Sequence, residues 1–401
     1  MMSLNINRSA YIEKIKPFIG KNLIKVLVGQ RRTGKSYILN QIIDYIKKDT
    51  PGADIICINK ELYAFDKIRN YHKLIKYVNK HKSKNKLTYL FIDKIIQIKE
   101  FEKALLYFLS EGGYDIYCTA SNSNILSREL SSLLSGSYIK IAVHTLSYSE
   151  FLNFYNLENT EKSFERYFKF GGLPYLVNLR EDETVTNEYL NNLYDAILYR
   201  DIIFHQKVRN PFVLECLVRY LAEKTGEALS AKGISDFFKM QKIAVTPNIL
   251  LSYLKQLTQA YIIARVKRSD ITGNRIYENG DKFYFEDMGL RQSILGNRQY
   301  DTEKILENLV FNYFDRKGYR ITTFSENHKK ISFICQRKSE KLYVQVAYYI
   351  SDEKIHQQIF GNLLDIHDNY PKYVFSLDPF THNSYEGIIH MHIRDFLVSE
   401  I

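Results

Sequence analysis

The first 145 residues alternate short apolar runs with stretches of helical periodicity. A strand buried on both faces shows a continuous apolar run instead of polar alternation, and helices between such strands indicate a parallel sheet covered on both sides. The pattern therefore predicts an α/β fold. The predicted strands are Leu23–Val28, Asp54–Ile58, Leu87–Asp93, Tyr114–Ala120 and Tyr138–Val143.

The middle of the chain is predicted to be mostly helical. Residues 147–201 have helical periodicity, interrupted by a turn at Gly171–Pro174. Residues 211–268 then give three helices and a strand, the order of a winged helix. Thr246 is suited to cap the third of these helices and Pro247 to begin it. The predicted elements are Pro211–Lys224, Ser230–Met240, Pro247–Leu257 and Tyr261–Arg268, followed by a turn at Thr272–Asn274.

The third helix of this segment would have to enter a major groove if the winged helix read DNA. Its solvent side would then present one cation, Lys255, among uncharged side chains. One lysine is few for a DNA reader, so a packing or interaction module is an alternative of at least equal weight. The uncharged side chains are Asn248, Ser252 and Gln256.

Residues 275–401 give the order helix, three strands, helix, strand. This is the order of a restriction-endonuclease-like core, although a fold alone does not define a function. The predicted helices are Thr302–Lys317 and Asp352–Ile366, and the predicted strands are Tyr319–Phe324, Ile331–Cys335, Leu342–Ala347 and Lys372–Leu377.

The first predicted strand runs into a loop with the spacing G-x-x-x-x-G-K-[ST]. Its glycines let backbone N–H groups curl around phosphate oxygens, and the helix that follows adds partial positive charge. Lys35 would reach the β and γ phosphates of a nucleoside triphosphate, and the Ser36 hydroxyl would bind Mg²⁺. A structural glycine turn is the alternative, but the strand and the helix around the loop favour a nucleotide site. The predicted ATP-binding residues are Gly29, Gln30, Arg31, Arg32, Thr33, Gly34, Lys35 and Ser36.

Two further predicted strands end in polar residues. Asp93 closes the third apolar run, where an aspartate helps to hold Mg²⁺ in proteins with this loop. The fourth run continues into Thr119–Asn124, where a hydroxyl or an amide such as Asn122 would face the γ-phosphate. An N-cap cluster for the next helix explains the same residues equally well. We expect Lys35, Asp93 and Asn122 to act on the triphosphate, with Ser36 and Asp93 as metal ligands.

Composition narrows the setting of the protein. The chain has 401 residues and is 45% hydrophobic, enough for several domains. No window approaches the roughly 20 apolar residues of a membrane span, and residues 1–8 lack the apolar stretch of a signal peptide. We therefore expect a cytoplasmic protein without membrane contact. The four cysteines are scattered, which favours buried free thiols over a zinc site: Cys57, Cys118, Cys216 and Cys335.

The formal net charge of +11 raises the question of a nucleic-acid partner. The positive charge is spread along the chain, and its densest run, Lys80–Lys86, lies between a predicted helix and a strand. A solvated loop is the simpler interpretation of that run, and a patch that follows phosphates is the alternative.

In these motifs and several others the chain resembles a known family over nearly its whole length. The family comprises prokaryotic AAA-type ATPases that carry a C-terminal endonuclease-like domain of unknown function. Several short motifs in the right order are more specific than one phosphate-binding loop. The matching stretches are Gly29–Ser36, Phe91–Asp93, Ile98–Glu102, Thr119–Asn124, Leu133–Gly136, Leu146–Phe151, Gly171–Pro174, Phe285–Arg291 and Leu306–Asn308.

The resemblance implies four parts and a nucleotide ligand. The parts are a P-loop AAA-type nucleotide-binding domain in residues 1–145, a helical lid in 146–205, a winged helix in 206–274 and a restriction-endonuclease-like α/β domain in 275–401. The implied ligands are ATP and Mg²⁺, and the resemblance is compatible with a homo-oligomer and with nucleic acid as a partner.

The chain departs from the family at two positions that bear on catalysis. Family members follow the strand aspartate with a glutamate that polarises the attacking water, and here Lys94 stands in its place. A lysine with an unperturbed pKa of about 10.4 is a cation at pH 7 and cannot serve as a general base without a very large shift. After the Leu-Ser-Gly element the family has an arginine that would stabilise charge on a neighbouring subunit's γ-phosphate, and here Ser137 stands instead. Glu100 or Glu102 is the alternative base, although each is expected on the exposed face of the following helix.

The C-terminal part shows a parallel loss. A working site of this type needs a carboxylate on one strand and an acid-x-lysine pattern on the next. Glu307 is kept on the helix, but Ser332 and Ala347 occupy the expected aspartate and lysine positions. Too few charged oxygens remain for a hard cation, so we expect no nuclease activity.

The residues leave three functions to be tested. The first is an ATP-binding AAA-type protein with slow or conditional hydrolysis. The second is a nucleotide-gated interaction protein, including one that acts on nucleic acid, in which turnover is irrelevant. The third and weakest is an active nuclease.

Overall fold

The computed structural model describes residues 8–122, 136–179, 182–204, 208–296, 301–326, 329–379 and 384–401. The chain forms two compact units. The first unit extends to Thr145 and also takes in Gln259–Tyr261, and the second consists of Leu146–Thr258 and Ile262–Ile401. Each unit is built around a β-sheet.

A parallel sheet forms the centre of the first unit. Its strands are β1 (Ile24–Val28), β2 (Asp54–Asn59), β3 (Thr88–Asp93), β4 (Tyr114–Ala120) and β5 (Tyr138–Ala142). They lie in the order β2-β3-β4-β1-β5, and every neighbouring pair is parallel. β1, β3 and β4 are buried at every position, as expected for strands covered on both faces. The predicted α/β class is confirmed for this unit.

Helices cover both faces of this sheet. They are α1 (Ser9–Ile15), α2 (Lys35–Asp49), α3 (Tyr71–His81) and α4 (Phe101–Glu111). Successive side chains of a strand point to opposite faces, so each strand supplies both apolar layers. α1 and α2 pack with Leu27 and its neighbours in one layer, and α3 and α4 pack with Val26 and Val28 in the other.

The second unit begins with helices. A reciprocal capping box between Ser147 and Glu150 starts the first of them. The helices are α5 (Tyr148–Tyr155), α6 (Glu161–Phe170), α7 (Glu183–Asp195), α8 (Pro211–Glu223), α9 (Ala231–Met240), α10 (Pro247–Gln259), α11 (Met288–Leu295), α12 (Thr302–Arg316), α13 (Glu353–Leu364) and α14 (Ile393–Phe396). The stretch Ala196–Phe204 continues α7 as a π-helix.

A mixed sheet of eight strands completes the second unit. Its order is β12-β13-β11-β10-β9-β8-β6-β7. The strands are β6 (Ile263–Arg268), β7 (Lys282–Phe285), β8 (Arg320–Glu326), β9 (Lys329–Arg337), β10 (Glu340–Val346), β11 (Lys372–Ser376), β12 (Ser384–Tyr385) and β13 (Ile388–His392). α13 packs on one face of this sheet in an apolar cluster with β9, β10 and β11.

Two features of this sheet were not predicted from the sequence. β7 pairs with β6 in antiparallel orientation, and β6 also pairs in parallel with β8, with Lys267 opposite Thr322. The predicted wing strand therefore belongs to the same sheet as the C-terminal strands. Pairing between strands that are distant in sequence leaves no periodic signal, which is why the apolar pattern did not indicate it.

The cysteines correct one expectation. Cys118 and Cys335 are buried free thiols as predicted, but Cys57 is exposed and Cys216 is half-buried. Cys57 lies on β2, which forms an edge of its sheet. None of the helices in the described part of the chain has the length and apolar character needed to cross a bilayer.

Candidate functional site

The loop Gly29–Ser36 leaves the carboxyl end of β1 and enters α2. Gly34 has a left-handed φ of 93° and directly precedes the helix, which allows the sharp turn into it. Gly29 passes so close to Val143 that a Cβ on it would lie 2.1 Å from the Val143 carbonyl oxygen. The first glycine of the motif is therefore required by its packing against Val143, which directly follows β5.

Lys35 lies at the centre of this loop. Its side chain is largely buried, with the residue 9% exposed. Its Nζ donates hydrogen bonds to the carbonyl oxygens of Gly29 at 2.9 Å and Gln30 at 2.6 Å. The Thr33 hydroxyl donates to the same Gln30 oxygen at 3.1 Å. The loop is thus folded around the ammonium group.

Arg8 fastens this loop and was missed in the sequence analysis. Its buried guanidinium donates to the carbonyl oxygens of Thr33 at 2.9 Å and His144 at 3.0 Å. It also lies over the ring of Tyr11, 4.6 Å from the centroid. Arg8 therefore ties the loop to the chain that follows β5. No motif marks this arginine, because its partners are distant in sequence.

The other loop residues supply charge and a hydroxyl. Arg31 and Ser36 are half-buried and Arg32 is exposed, with a left-handed φ of 69° at Arg32. Ser36 lies in the first turn of α2, a helix of 15 residues. An ammonium, two guanidinium groups and a helix N-terminus form a donor set that fits phosphate groups.

Asp93 ends β3 and is largely buried. The Thr119 hydroxyl on β4 donates a hydrogen bond to its Oδ1 and accepts one of 2.9 Å from the backbone N–H of Lys94. β4 lies between β3 and β1, so Asp93 and the loop share the carboxyl edge of the sheet. A hard carboxylate and the Ser36 hydroxyl are oxygen ligands of the kind Mg²⁺ prefers.

Asn122 lies just beyond β4 and is half-buried. β4 ends at Ala120, which is the register partner of Val28 at the end of β1. Asn122 therefore follows the strand next to the loop, as the sequence predicted. The neighbouring candidates Ser123 and Asn124 lie outside the described residues, as does most of the Leu133–Gly136 motif.

Lys94 is paired with a carboxylate that the sequence analysis did not consider. It has a left-handed φ of 59°, and its ammonium forms an ion pair with Glu61, just beyond β2. The Lys94 hydrogen bond lowers the pKa of Glu61, and the charges of Arg32 and Arg31 lower it further. An ionised carboxylate therefore stands beside position 94.

The two carboxylates suggested as alternative bases lie in a different setting. Glu100 is exposed and forms an ion pair with Lys103 on the following helix. Glu102 is half-buried in the first turn of α4.

Ser137, the other position that departs from the family, lies beside β1. The carbonyl oxygen of Ser137 accepts a hydrogen bond of 3.0 Å from Ile24 N–H. Ser137 therefore lies at the amino end of β1, away from the loop.

The C-terminal candidate residues are engaged in packing and hydrogen bonds. Glu307 on α12 accepts hydrogen bonds from Lys282 at 2.8 Å and from the Tyr284 hydroxyl. The Ser332 hydroxyl accepts one from Val346 N–H at 3.1 Å, and Ala347 lies in an apolar cluster. Within the described part of the chain, no cluster of three metal-ligating side chains includes Glu307.

Two family models match parts of this chain. A family model described as an AAA domain matches residues 21–152, and a domain of unknown function matches residues 161–301. A Walker-type ATPase of Pyrococcus abyssi has a similar structure, with a TM-score of 0.52, 16% identity, and coverage of 72% of this chain and 96% of that chain. This similarity confirms the P-loop AAA-type fold predicted for the first unit.

Two relatives extend over most of the chain. An uncharacterized protein of Methanocaldococcus jannaschii is 28% identical over 88% of this chain and 80% of its own length. An uncharacterized protein of Haemophilus influenzae is 30% identical over 99% of this chain and 100% of its own length. The chain therefore belongs to the same family of AAA-domain proteins as the Haemophilus influenzae relative.

Proposed function

We propose that the protein binds ATP with Mg²⁺ at the loop Gly29–Ser36 and hydrolyses it slowly or conditionally. The observation that carries the proposal is the Lys35 ammonium, held by the carbonyl oxygens of Gly29 and Gln30 at the N-terminus of α2. Backbone oxygens are weak partners for a cation compared with phosphate oxygens, so a triphosphate would displace them.

Each residue of the site has a part in this proposal. Lys35 would bind the β and γ phosphates, and Arg31 and Arg32 would add positive charge at the outer side of the loop. The Ser36 hydroxyl and the Asp93 carboxylate would hold Mg²⁺, which neutralises phosphate charge when it is bound. Asn122 would donate its amide to the γ-phosphate.

Turnover is proposed to be slow because two groups that assist hydrolysis are missing. Lys94 stands where the water-polarising glutamate is expected, and Ser137 stands where the charge-stabilising arginine is expected. Both changes weaken the chemical step and leave the phosphate contacts intact. Calorimetric titration with ATP, followed by a phosphate-release assay with and without DNA, tests the proposal. Tight binding with turnover well below an ordinary rate of about 10 s⁻¹ is expected.

A second candidate function is nucleotide-gated interaction with another macromolecule. We propose that α8, α9 and α10 with the β6–β7 pair form a winged helix that serves as an interaction module. The exposed side of α10 has one cation, Lys255, beside the exposed apolar residues Ile249 and Leu251. Asn248 and Ser252 are exposed as predicted, but Gln256 is half-buried because it faces inward.

This composition supports contact with a protein or with DNA phosphates more than base recognition. Any DNA affinity should then fall steeply with salt and vary little with sequence. A fluorescence titration of two unrelated duplexes between 50 and 200 mM salt, roughly the range over which phosphate contacts are lost, distinguishes these cases. Sequence-selective binding that survives the higher salt would contradict this candidate function.

We propose that residues 275–401 have a restriction-endonuclease-like fold without nuclease activity. α12, the strands β8, β9 and β10, then α13 and β11 follow the order of that core. Glu307 is occupied by Lys282 and Tyr284, and neither Ser332 nor Ala347 supplies a charged group. Plasmid nicking in Mg²⁺ or Mn²⁺ tests this, and cleavage that disappears in Glu307→Ala would overturn it.

A further inference from the structure

The ion pair between Lys94 and Glu61 lies at the carboxyl edge of the parallel sheet. β2 and β3 are in register, with Asn59 opposite Asp93. The Lys60 N–H continues this pairing by donating to the Asp93 carbonyl oxygen at 3.3 Å. Glu61 follows Lys60 after the end of β2, and Lys94 follows Asp93 after the end of β3. The Glu61 carboxylate and the Lys94 ammonium form an ion pair there.

The surroundings of Glu61 connect it to the phosphate-binding loop. Its carboxylate is half-exposed and lies in the field of three cations, Lys94 by contact and Arg32 and Arg31 through space. β2 lies beside β3 and is parallel to it, so Glu61 and Asp93 leave the sheet at the same carboxyl edge as the loop. The Glu61 backbone N–H donates to the Asn59 side chain at 2.9 Å, which fixes the turn that carries it.

We propose that Glu61 supplies, from the neighbouring strand end, the water-positioning carboxylate that position 94 lacks, and that Lys94 holds it there. This inference rests on the proposed function, because it requires ATP at the loop. It supplies a water-positioning group for the proposed slow or conditional turnover, despite the lysine at position 94. The Lys94 ammonium pairs with Oε1 of Glu61, which leaves the second carboxylate oxygen for the water.

The chemical step involves one water molecule and the terminal phosphoryl group. Glu61 accepts a hydrogen bond from the water, and the water oxygen forms a bond to the γ-phosphorus. The bond between the γ-phosphorus and the β,γ-bridging oxygen breaks, and its electron pair stays with ADP. The water proton passes to the Glu61 carboxylate and then to solvent, so the products are ADP and inorganic phosphate.

A strongly ionised carboxylate is suited to this part. Its pKa lies below the usual glutamate range because of the Lys94 hydrogen bond and the nearby arginine charges. Low basicity weakens proton abstraction but leaves hydrogen-bond acceptance from water intact. Phosphoryl transfer passes through a loose transition state, in which orientation of the water contributes more than removal of its proton.

The first experiment compares Glu61→Gln with Glu111→Gln in the full-length protein. Glu111 is an exposed carboxylate at the end of α4 and serves as the matched control. Phosphate release and the affinity for a non-hydrolysable ATP analogue are both measured. Glu61→Gln should lower kcat at least tenfold while the analogue affinity stays within about threefold. Glu111→Gln should change neither quantity.

A second comparison separates catalysis from a structural role of the ion pair. An ion pair this exposed contributes little to stability, so the thermal midpoint of Glu61→Gln should stay close to that of the wild type. Glu61→Lys should also lose turnover. The double variant Glu61→Lys with Lys94→Glu restores the ion pair with the two charges exchanged. It also places a carboxylate at position 94, at the carboxyl edge of the sheet. The double variant should therefore turn over at least tenfold faster than Glu61→Lys alone.

The outcomes distinguish this inference from the function on which it rests. Wild-type turnover in Glu61→Gln would overturn the assignment of Glu61. The assignment of Glu61 would also be wrong if the wild-type protein bound ATP but released no more phosphate than Lys35→Ala. That result would not contradict ATP binding at the loop. Failure of the wild type to bind the analogue would overturn the proposed function itself.

Discussion

The Lys35 ammonium has two backbone carbonyl oxygens as partners, at 2.9 and 2.6 Å. A triphosphate would replace these with charged oxygens, and removing the ammonium would leave that charge to backbone N–H groups. Lys35→Ala should therefore weaken ATP affinity at least tenfold, or about 1.4 kcal/mol. Isothermal calorimetry measures this, with Lys48→Ala on the exposed side of α2 as the control. Equal ATP affinity of Lys35→Ala and wild type would show that ATP does not bind at this loop.

In the proposed function, Lys94 limits the rate of the chemical step because it stands where a water-orienting carboxylate is expected. A carboxylate at this position orients water directly, an effect typically worth 10²- to 10⁴-fold in rate. Lys94→Glu should therefore raise phosphate release at least tenfold, with ATP affinity nearly unchanged. Lys94→Gln, which removes the cation without adding a carboxylate, is the control. If the wild type already turns over at an ordinary rate and Lys94→Glu changes nothing, another carboxylate positions the water: Glu61 is the first to test, and Glu100 and Glu102 follow if Glu61→Gln has no effect.

Local spacing predicted some residues of the site and not others. The glycines, Lys35 and Asp93 follow fixed intervals from strand ends, so a pattern of adjacent residues was enough to select them. Arg8 contacts the loop and Glu61 contacts Lys94 only because folding brings distant segments together. Their side chains also carry no signature, since a lone arginine or glutamate is usually on the surface. Neither could be distinguished without the folded chain.

At the scale of elements, two motifs of the second unit meet through one buried carboxylate. Asp287 caps α11 by accepting a hydrogen bond from Leu290 N–H at 3.1 Å, and it accepts another from Gly172 N–H at 2.8 Å. A Cβ on Gly171 would lie 2.4 Å from the same carboxylate. The sequence predicted Gly171–Pro174 only as a turn between helices. In the structure its glycines pack against and bond to the carboxylate that caps α11.

Burial of this carboxylate makes the unfolding free energy of the second unit depend on pH. Desolvation raises the pKa of Asp287 from 3.8 to about 6, against the opposing effect of its two backbone hydrogen bonds. A raised pKa means that the folded state binds the proton more tightly. The stabilising contribution is therefore complete below pH 4 and is lost as the pH rises through about 6.

Asp287→Asn should remove this dependence, because the amide can still cap α11 but carries no charge. We expect the thermal midpoint of the wild type to fall, relative to that of Asp287→Asn, between pH 4 and pH 7. The complete loss of this contribution lowers the unfolding free energy of the wild type by about 3 kcal/mol as an order of magnitude. Scanning calorimetry at both pH values measures it, and Asp236→Asn, at an exposed aspartate on α9, is the control. A constant difference between the two midpoints would show that burial does not raise the pKa of Asp287.

The elements themselves were largely predictable. β4 spans the predicted residues, and β8, β9, β10 and β11 deviate from their predicted limits by no more than two residues at either end. Periodicity is a local property, so it locates an element well. Strand order is not local, and β7 and β13 were missed because each is short or mixed in polarity. The pairing of β6 with β8 joins segments that the sequence assigned to different domains.

At the scale of the whole molecule, Ser137 bears on whether the ATP site is completed between copies of the chain. Ser137 lies at the amino end of β1, and the loop Gly29–Ser36 lies at its carboxyl end. The five residues of β1 separate these ends by roughly 16 Å, at about 3.3 Å per residue. An arginine at position 137 could not span that distance to a nucleotide in its own loop. It could act only on the nucleotide of a neighbouring copy.

This geometry predicts a gain that depends on assembly. Arginines supplied by a neighbouring chain are worth 10³–10⁵ in related phosphoryl transfers, provided the carboxylate that positions water is also present. Ser137→Arg should therefore do little alone, and should raise turnover beyond Lys94→Glu only in the double variant. The additional gain should grow with protein concentration, together with the particle mass measured by light scattering. Lys94→Glu with Ser137→Gln is the matched control for side-chain size. A gain that is independent of concentration would place the arginine's effect within one chain, and no gain at concentrations that produce oligomers would show that Ser137 does not face a neighbouring site.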